Sequence, residues 1–190
     1  LPNSLEENIS RRTAHVGIVG LGYVGLPTMV ALARAGFKVT GLDVSQERAD
    51  RINAGDSYIE DVSSHTLGEL VRQGKIRATT DYNAVAGMDV VVICVPTPVS
   101  INKEPVLGPL KDAAHSLAAN MRGEQLVVLQ STSFPGTTEE LVLPILQGDG
   151  RRVGHDFYLA FSPERIDPGN TEYHVQNIPK VVGGVTPRCG

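Results

Sequence analysis

Short apolar runs alternate with amphipathic stretches along almost the whole chain. The runs cover residues 15–19, 38–42, 76–79, 89–95, 125–130 and 157–161, each four to seven residues long. Between them, 24–35, 45–54, 63–73 and 110–121 place apolar residues at helical spacing; Leu67, Leu70 and Val71 share one face. The stretch 89–95 is apolar at nearly every position, which predicts a central strand buried on both sides. Pro27 falls in the first turn of its helix, where a missing N–H costs little, and Gly55 closes the helix over 45–54. Thr137, followed three residues later by Glu140, predicts a capping box at the start of another helix. Strands and helices that broadly alternate predict an α/β fold. The expected sheet is doubly wound, mainly parallel and six-stranded, with helices on both faces. Residues 1–13 are polar and read as a tail, leaving 14–190 as one domain.

The first strand runs straight into Gly20-Leu21-Gly22-Tyr23-Val24-Gly25, and a helical stretch follows. This order is the fingerprint of a Rossmann-type dinucleotide-binding unit. Gly20 permits the tight turn, Gly22 lets a pyrophosphate approach the backbone, and Gly25 lets helix and sheet pack closely. The N–H groups and positive dipole end of that helix then face the phosphates. Asp43 ends the second strand. Its carboxylate can accept hydrogen bonds from both ribose hydroxyls of NAD and would repel the 2′-phosphate of NADP. It can equally cap the next helix, although Ser45 is available for that role. Arg48 reads either as a cover for the adenine or phosphate edge or as a solvated helix residue.

Composition narrows the possibilities. A chain of 190 residues with 41% hydrophobic content can bury one sizeable core. The net charge is -4 and no run of Lys and Arg occurs, so nucleic acid is not the expected partner. No apolar run reaches membrane-spanning length, and no signal-peptide pattern precedes the first strand. Two distant cysteines suit a reducing, cytoplasmic setting. The five histidines lack ligand spacing, so no metal is expected.

Three loops follow strands and therefore lie on the side where open parallel sheets bind ligands. Cys94-Val95-Pro96-Thr97-Pro98 ends the fourth strand, and Ser131 to Thr138 follows the fifth. Thr97 and Thr132 would project hydroxyls toward the nicotinamide half of the cofactor, unless they serve turn chemistry alone. Ser162-Pro163-Glu164-Arg165-Ile166-Asp167-Pro168-Gly169 follows the sixth. Its acid, guanidinium and second acid suit the orientation of a sugar or phosphorylated substrate; a surface ion pair is the plainer alternative.

Together these four motifs resemble the nucleotide-sugar 6-dehydrogenase family, whose members oxidise UDP-glucose, UDP-N-acetylhexosamines or GDP-mannose. The resemblance runs from the first strand to the last residue. It implies NAD as cofactor, with Gly20, Gly22, Tyr23, Val24 and Gly25 around the pyrophosphate and Asp43 and Arg48 at the adenosine. Val95, Thr97, Ser131 and Thr132 would make further cofactor contacts. It makes Glu164 the acid–base and water-handling residue, and Arg165 and Ile166 contacts to a UDP-sugar. The Ser162 to Gly169 loop looks like that of the UDP-N-acetylglucosamine 6-dehydrogenase branch, with UDP-N-acetylmannosamine and UDP-glucose enzymes as alternatives. Family members also need a cysteine in a Gly-Gly-His-Cys-type motif, which neither Cys94 nor Cys189 provides. The chain therefore reads as the NAD-binding part of a longer enzyme, inactive by itself, whose parent would be a homodimer or higher oligomer; a non-catalytic NAD-binding module is the competing reading.

Overall fold

The computed structural model describes residues 4–148, 150–165 and 178–190. Among the described residues, seven strands form one sheet in the order β3-β2-β1-β4-β5-β6-β7. They are β1 (His15–Val19), β2 (Lys38–Leu42), β3 (Ile76–Thr79), β4 (Val90–Ile93), β5 (Gln125–Leu129), β6 (Phe157–Phe161) and β7 (Gly183–Gly184). The first six pair in parallel, and β7 runs antiparallel to β6. The expected six-stranded sheet is thus corrected to seven. Two glycines with no strand propensity form β7, and only their pairing with β6 makes them a strand. The 89–95 run pairs only over Val90–Ile93.

The helices are α1 (Leu5–Ser10), α2 (Gly25–Arg34), α3 (Gln46–Asn53), α4 (Ser64–Arg72), α5 (Gly108–Asn120) and α6 (Leu143–Gln147). The lead-in expected to be a tail carries α1, which buries none of its residues. Strand side chains alternate between two apolar clusters, one on each face of the sheet. Val16, Ile18, Val39, Val92 and Cys94 join Leu26, Met29, Ile52 and Leu67 from α2, α3 and α4. Val19, Val91, Ile93, Val127 and Leu129 join Leu110, Leu117 and Leu146 from α5 and α6. Burial on both faces is why β4 is apolar throughout.

Ser45 does cap α3, accepting the Arg48 N–H. The capping box at Thr137 does not form. Gly136 occupies the cap position in a left-handed conformation, and Thr137–Val142 winds as a π-helical turn before α6. The Thr137 hydroxyl instead donates back to the Phe134 carbonyl at 2.7 Å.

At the amino edge of the sheet, His15 Nδ1 lies 3.0 Å from the Gly87 carbonyl, so that nitrogen carries the proton. Nε2 lies 2.8 Å from the Thr40 hydroxyl, which also accepts from Arg77 Nε. Burial holds the His15 pKa below its usual 6.5, aided by Lys38 and Arg77; the Gly87 hydrogen bond and Asp89 oppose the shift. The unfolded chain therefore binds a proton that the folded ring declines. Stability from this site is complete above about pH 6.5 and is lost as pH falls toward the lower folded value. Unfolding midpoints measured at about pH 7.5 and about pH 5.5 should differ less in His15→Gln than in the natural sequence. An identical loss in both would remove His15 as the cause.

Candidate cofactor and active site

The ends of β1, β2 and β4 converge on Gly20. Its N–H donates to the Leu42 carbonyl at 2.7 Å. Its φ is +90°, and an added Cβ would lie 2.8 Å from the Cys94 carbonyl oxygen. Gly25 is closed in another way, because a Cβ there would run into the Gly20 carbonyl. Gly22 is the exception. Nothing lies within 4 Å of the place its Cβ would take, so no protein atom requires glycine there. That open space suits a pyrophosphate lying against the backbone. Val24 is the N-cap of α2 and offers no side-chain acceptor, and no acidic residue stands in the first turn. Leu26 N–H already donates to the Gly22 carbonyl at 3.1 Å and Pro27 has none, so an anion here would meet the N–H groups of the turn around Gly22 and Gly25 and the positive end of the helix. Tyr23 is 68% exposed beside them.

Asp43 is buried and gathers three donors. Oδ2 accepts from Leu21 N–H at 2.8 Å and from Arg48 Nη1 at 3.4 Å; Oδ1 accepts from Ser45 N–H at 3.0 Å. Asp43 and Arg48 line a cavity of about 500 Å³ with Ser45, Arg51 and Tyr58. A larger hollow, about 700 Å³, lies between α5 and α6 beside His115 and Arg151. Its walls belong to the helix layer rather than to the strand ends, and none of the motifs reaches it.

The loops after β4 and β5 are tied together. The Thr97 hydroxyl donates to the Thr132 carbonyl at 2.6 Å. Ser131 is buried, and its hydroxyl donates to the Val95 carbonyl at 2.8 Å. Ser131 therefore uses its proton to join the two strand ends, while the Thr132 side chain stays exposed.

Glu164 follows β6, and both its oxygens accept hydrogen bonds. Oε1 takes the Arg165 N–H at 2.7 Å and Lys180 Nζ at 3.2 Å. Oε2 takes Lys180 Nζ at 3.1 Å and the Gln130 amide. Gln130 is buried at the end of β5, and its other end meets Cys94 Sγ at 3.7 Å. The Arg165 guanidinium donates to the Pro179 carbonyl at 3.2 Å. Ile166 lies outside the described residues.

Gln130, Lys180 and Tyr58 were not legible as site residues. Gln130 had one weak signal, a polar side chain closing the apolar run 126–129. Lys180 stands sixteen residues from Glu164, beyond the end of its motif at Gly169, and Tyr58 sits in an undistinguished connection.

Cys94 and Cys189 are both free and buried. Burial and the nearby charge of Glu164 push the Cys94 thiol up to about 12. A nucleophilic cysteine needs the opposite surroundings; Cys94 packs as a small apolar side chain.

Residues 14–190 match the family described as "UDP-glucose/GDP-mannose dehydrogenase family, NAD binding domain". The chain is 36% identical over 175 residues to the UDP-N-acetyl-D-mannosamine dehydrogenase of Pyrococcus horikoshii, covering 92% of this chain and 42% of that protein. It is 37% identical over 174 residues to the UDP-N-acetyl-D-glucosamine 6-dehydrogenase of Pseudomonas aeruginosa, covering 90% and 40%. The crystal structure of the NDP-N-acetyl-D-galactosaminuronic acid dehydrogenase of Methanosarcina mazei superposes with a TM-score of 0.86 at 30% identity, over 100% of this chain and 43% of that one. The chain spans about two fifths of the length of these relatives.

Proposed function

The chain belongs to the UDP-glucose/GDP-mannose dehydrogenase family as its NAD-binding domain, and from that premise we propose that it serves an oxidation of the C6 alcohol of UDP-N-acetylglucosamine, or a related UDP-hexosamine, to the uronic acid with two NAD per sugar. The observation that carries the reading is Glu164, a carboxylate held by Gln130 and Lys180 at the crevice end of the sheet. Similarity to relatives named for UDP-N-acetylglucosamine and for UDP-N-acetylmannosamine supports the substrate class.

Each part of the chain has its own task in this reading. Bound NAD supplies the hydride acceptor. The glycine turn and the start of α2 hold the pyrophosphate by backbone N–H groups. Asp43 still has lone pairs beyond its three protein donors, and these accept the ribose hydroxyls. Thr97, through its bond to the Thr132 carbonyl, sets the spacing of the loops at the nicotinamide end. Glu164 takes a proton from water at a carboxylate oxygen, which is the task of a general base. Arg165 orients the nucleotide-sugar by charge. The thiolate that traps the aldehyde in such a reaction is neither Cys94 nor Cys189, because both are buried.

Initial rates of NADH formation by the full-length protein, with UDP-N-acetylglucosamine, UDP-N-acetylmannosamine and UDP-glucose side by side, test the substrate. A preference for UDP-glucose would overturn the hexosamine assignment. Inactivity with all three would favour a non-catalytic NAD-binding module.

Cofactor choice is tested separately. A carboxylate facing a 2′-phosphate costs several kcal/mol, so NAD should bind about a hundredfold more tightly than NADP. Asp43→Asn keeps an oxygen for the Leu21 N–H while removing the charge, and should narrow that ratio to about tenfold or less. Equal affinities in the natural sequence, measured by calorimetric titration, would remove Asp43 from the ribose.

A further inference from the structure

Leu21 stands between Gly20 and Gly22, the two residues whose backbone is least constrained by local chemistry. Yet both of its own polar backbone atoms are held. Its N–H donates to Asp43 Oδ2 at 2.8 Å, and its carbonyl accepts from the Tyr58 hydroxyl at 2.6 Å. Its side chain is fully buried over Gly41, where a Cβ would meet the leucine methyls at 2.7 and 2.8 Å. Asp43 directly follows β2, whereas Tyr58 comes from the connection between α3 and α4, thirty-seven residues from Leu21. The turn is therefore gripped from two independent elements.

Tyr58 also meets the arginines of the adenosine cavity. The Arg51 guanidinium carbon lies 5.3 Å and the Arg48 carbon 5.8 Å from the centre of its ring, within cation–π range. Arg48 in turn reaches Asp43. One side chain thus touches the glycine turn with its hydroxyl and the adenosine side with its ring.

We propose that Tyr58 is a positioning residue for NAD, its hydroxyl locking the glycine turn in the conformation whose N–H groups face the pyrophosphate. The lock is a fixed donor. Burial and the Asp43 charge push the phenol up to about 12, so it keeps its proton at any ordinary pH. The proposal rests on NAD occupying this crevice. It assigns the pyrophosphate half of the affinity to the hydroxyl and the adenosine half to the ring.

Tyr58→Phe separates the two, because it keeps the ring beneath both arginines and removes only the donor. NAD and ADP-ribose, titrated by calorimetry, should bind about fivefold more weakly to the variant. Adenosine, which lacks the pyrophosphate and is followed by NMR, should bind within about twofold of the natural sequence. A general loss of structure would weaken all three ligands alike, so the ratio of NAD to adenosine affinity is the deciding readout. Tyr58→Leu, which removes the ring as well, should weaken adenosine too. Unchanged NAD affinity in Tyr58→Phe, or equal losses for NAD and adenosine, would overturn the proposal. Failure of the natural sequence to bind NAD would instead overturn the cofactor reading beneath it.

Discussion

On the proposed function, Glu164→Gln in the full-length protein should lower turnover by about two to three orders of magnitude while leaving NAD affinity within about twofold. The size of the loss follows from what the side chain does for its neighbours and for the reaction. Both carboxylate oxygens accept, Oε1 from Arg165 N–H and Lys180, Oε2 from Gln130 and Lys180. A glutamine has one acceptor oxygen, so whichever way it turns, its NH2 faces a donor. The amide is also too weak a base to take a proton from water. NAD binding is spared because the glycine turn and Asp43 belong to β1, β2 and α2, not to the β6 loop. Rapid mixing should show an early burst of NADH followed by slow steady release, since breakdown of the covalent intermediate lacks its base. Turnover equal to that of the natural sequence would remove Glu164 from the chemistry and leave it as a structural acid paired with Lys180.

Gly25→Ala should reduce NAD affinity by more than about a hundredfold and destabilise the domain by about 3 kcal/mol. The new Cβ would overlap the Gly20 carbonyl, and Ile18 Cγ2 would stand 3.3 Å from it. Relief requires α2 to move off the sheet, which opens the Leu26 and Met29 packing and pulls the helix start from the phosphates. The fall in unfolding midpoint should be roughly 6–12 °C for a domain of this size. Gly22→Ala is the informative contrast. Nothing lies within 4 Å of that Cβ, so the unfolding midpoint should stay near that of the natural sequence while NAD binding weakens. The first glycine makes room for the protein and the second for the ligand. If Gly25→Ala kept both stability and affinity, the close packing of turn and helix would carry no weight. If Gly22→Ala bound NAD normally, the pyrophosphate would lie elsewhere.

The strands β1, β2, β3 and β6 end where their hydrophobic pattern ends, because apolar residues in a parallel sheet are needed only where both faces are covered. Ser45 was legible as a cap for a similar reason, since a hydroxyl before a helix meets an N–H three residues on whatever the rest of the protein does. Thr137 carried the same signature and failed. Gly136 turned left-handed, and the hydroxyl found the Phe134 carbonyl, so a competing local hydrogen bond won. The 89–95 run overstated β4 because apolar character reports burial, and Cys94 stays buried after strand pairing has stopped.

What the chain determined by itself was therefore the chemistry of near neighbours: the direction of the strands, the glycine turn, the acid just after β2, and the loops that follow β4, β5 and β6. These depend on backbone stereochemistry and on periodicity, and both act over a few residues. Only the tertiary structure decided which distant side chains meet. It brought Gln130 and Lys180 onto Glu164, placed the Tyr58 hydroxyl on the Leu21 carbonyl, and made a seventh strand of Gly183–Gly184. A residue's partners across the sheet depend on strand order and on how loops cross the crevice. No local propensity records either of these, because the pairing energy appears only once the elements have packed.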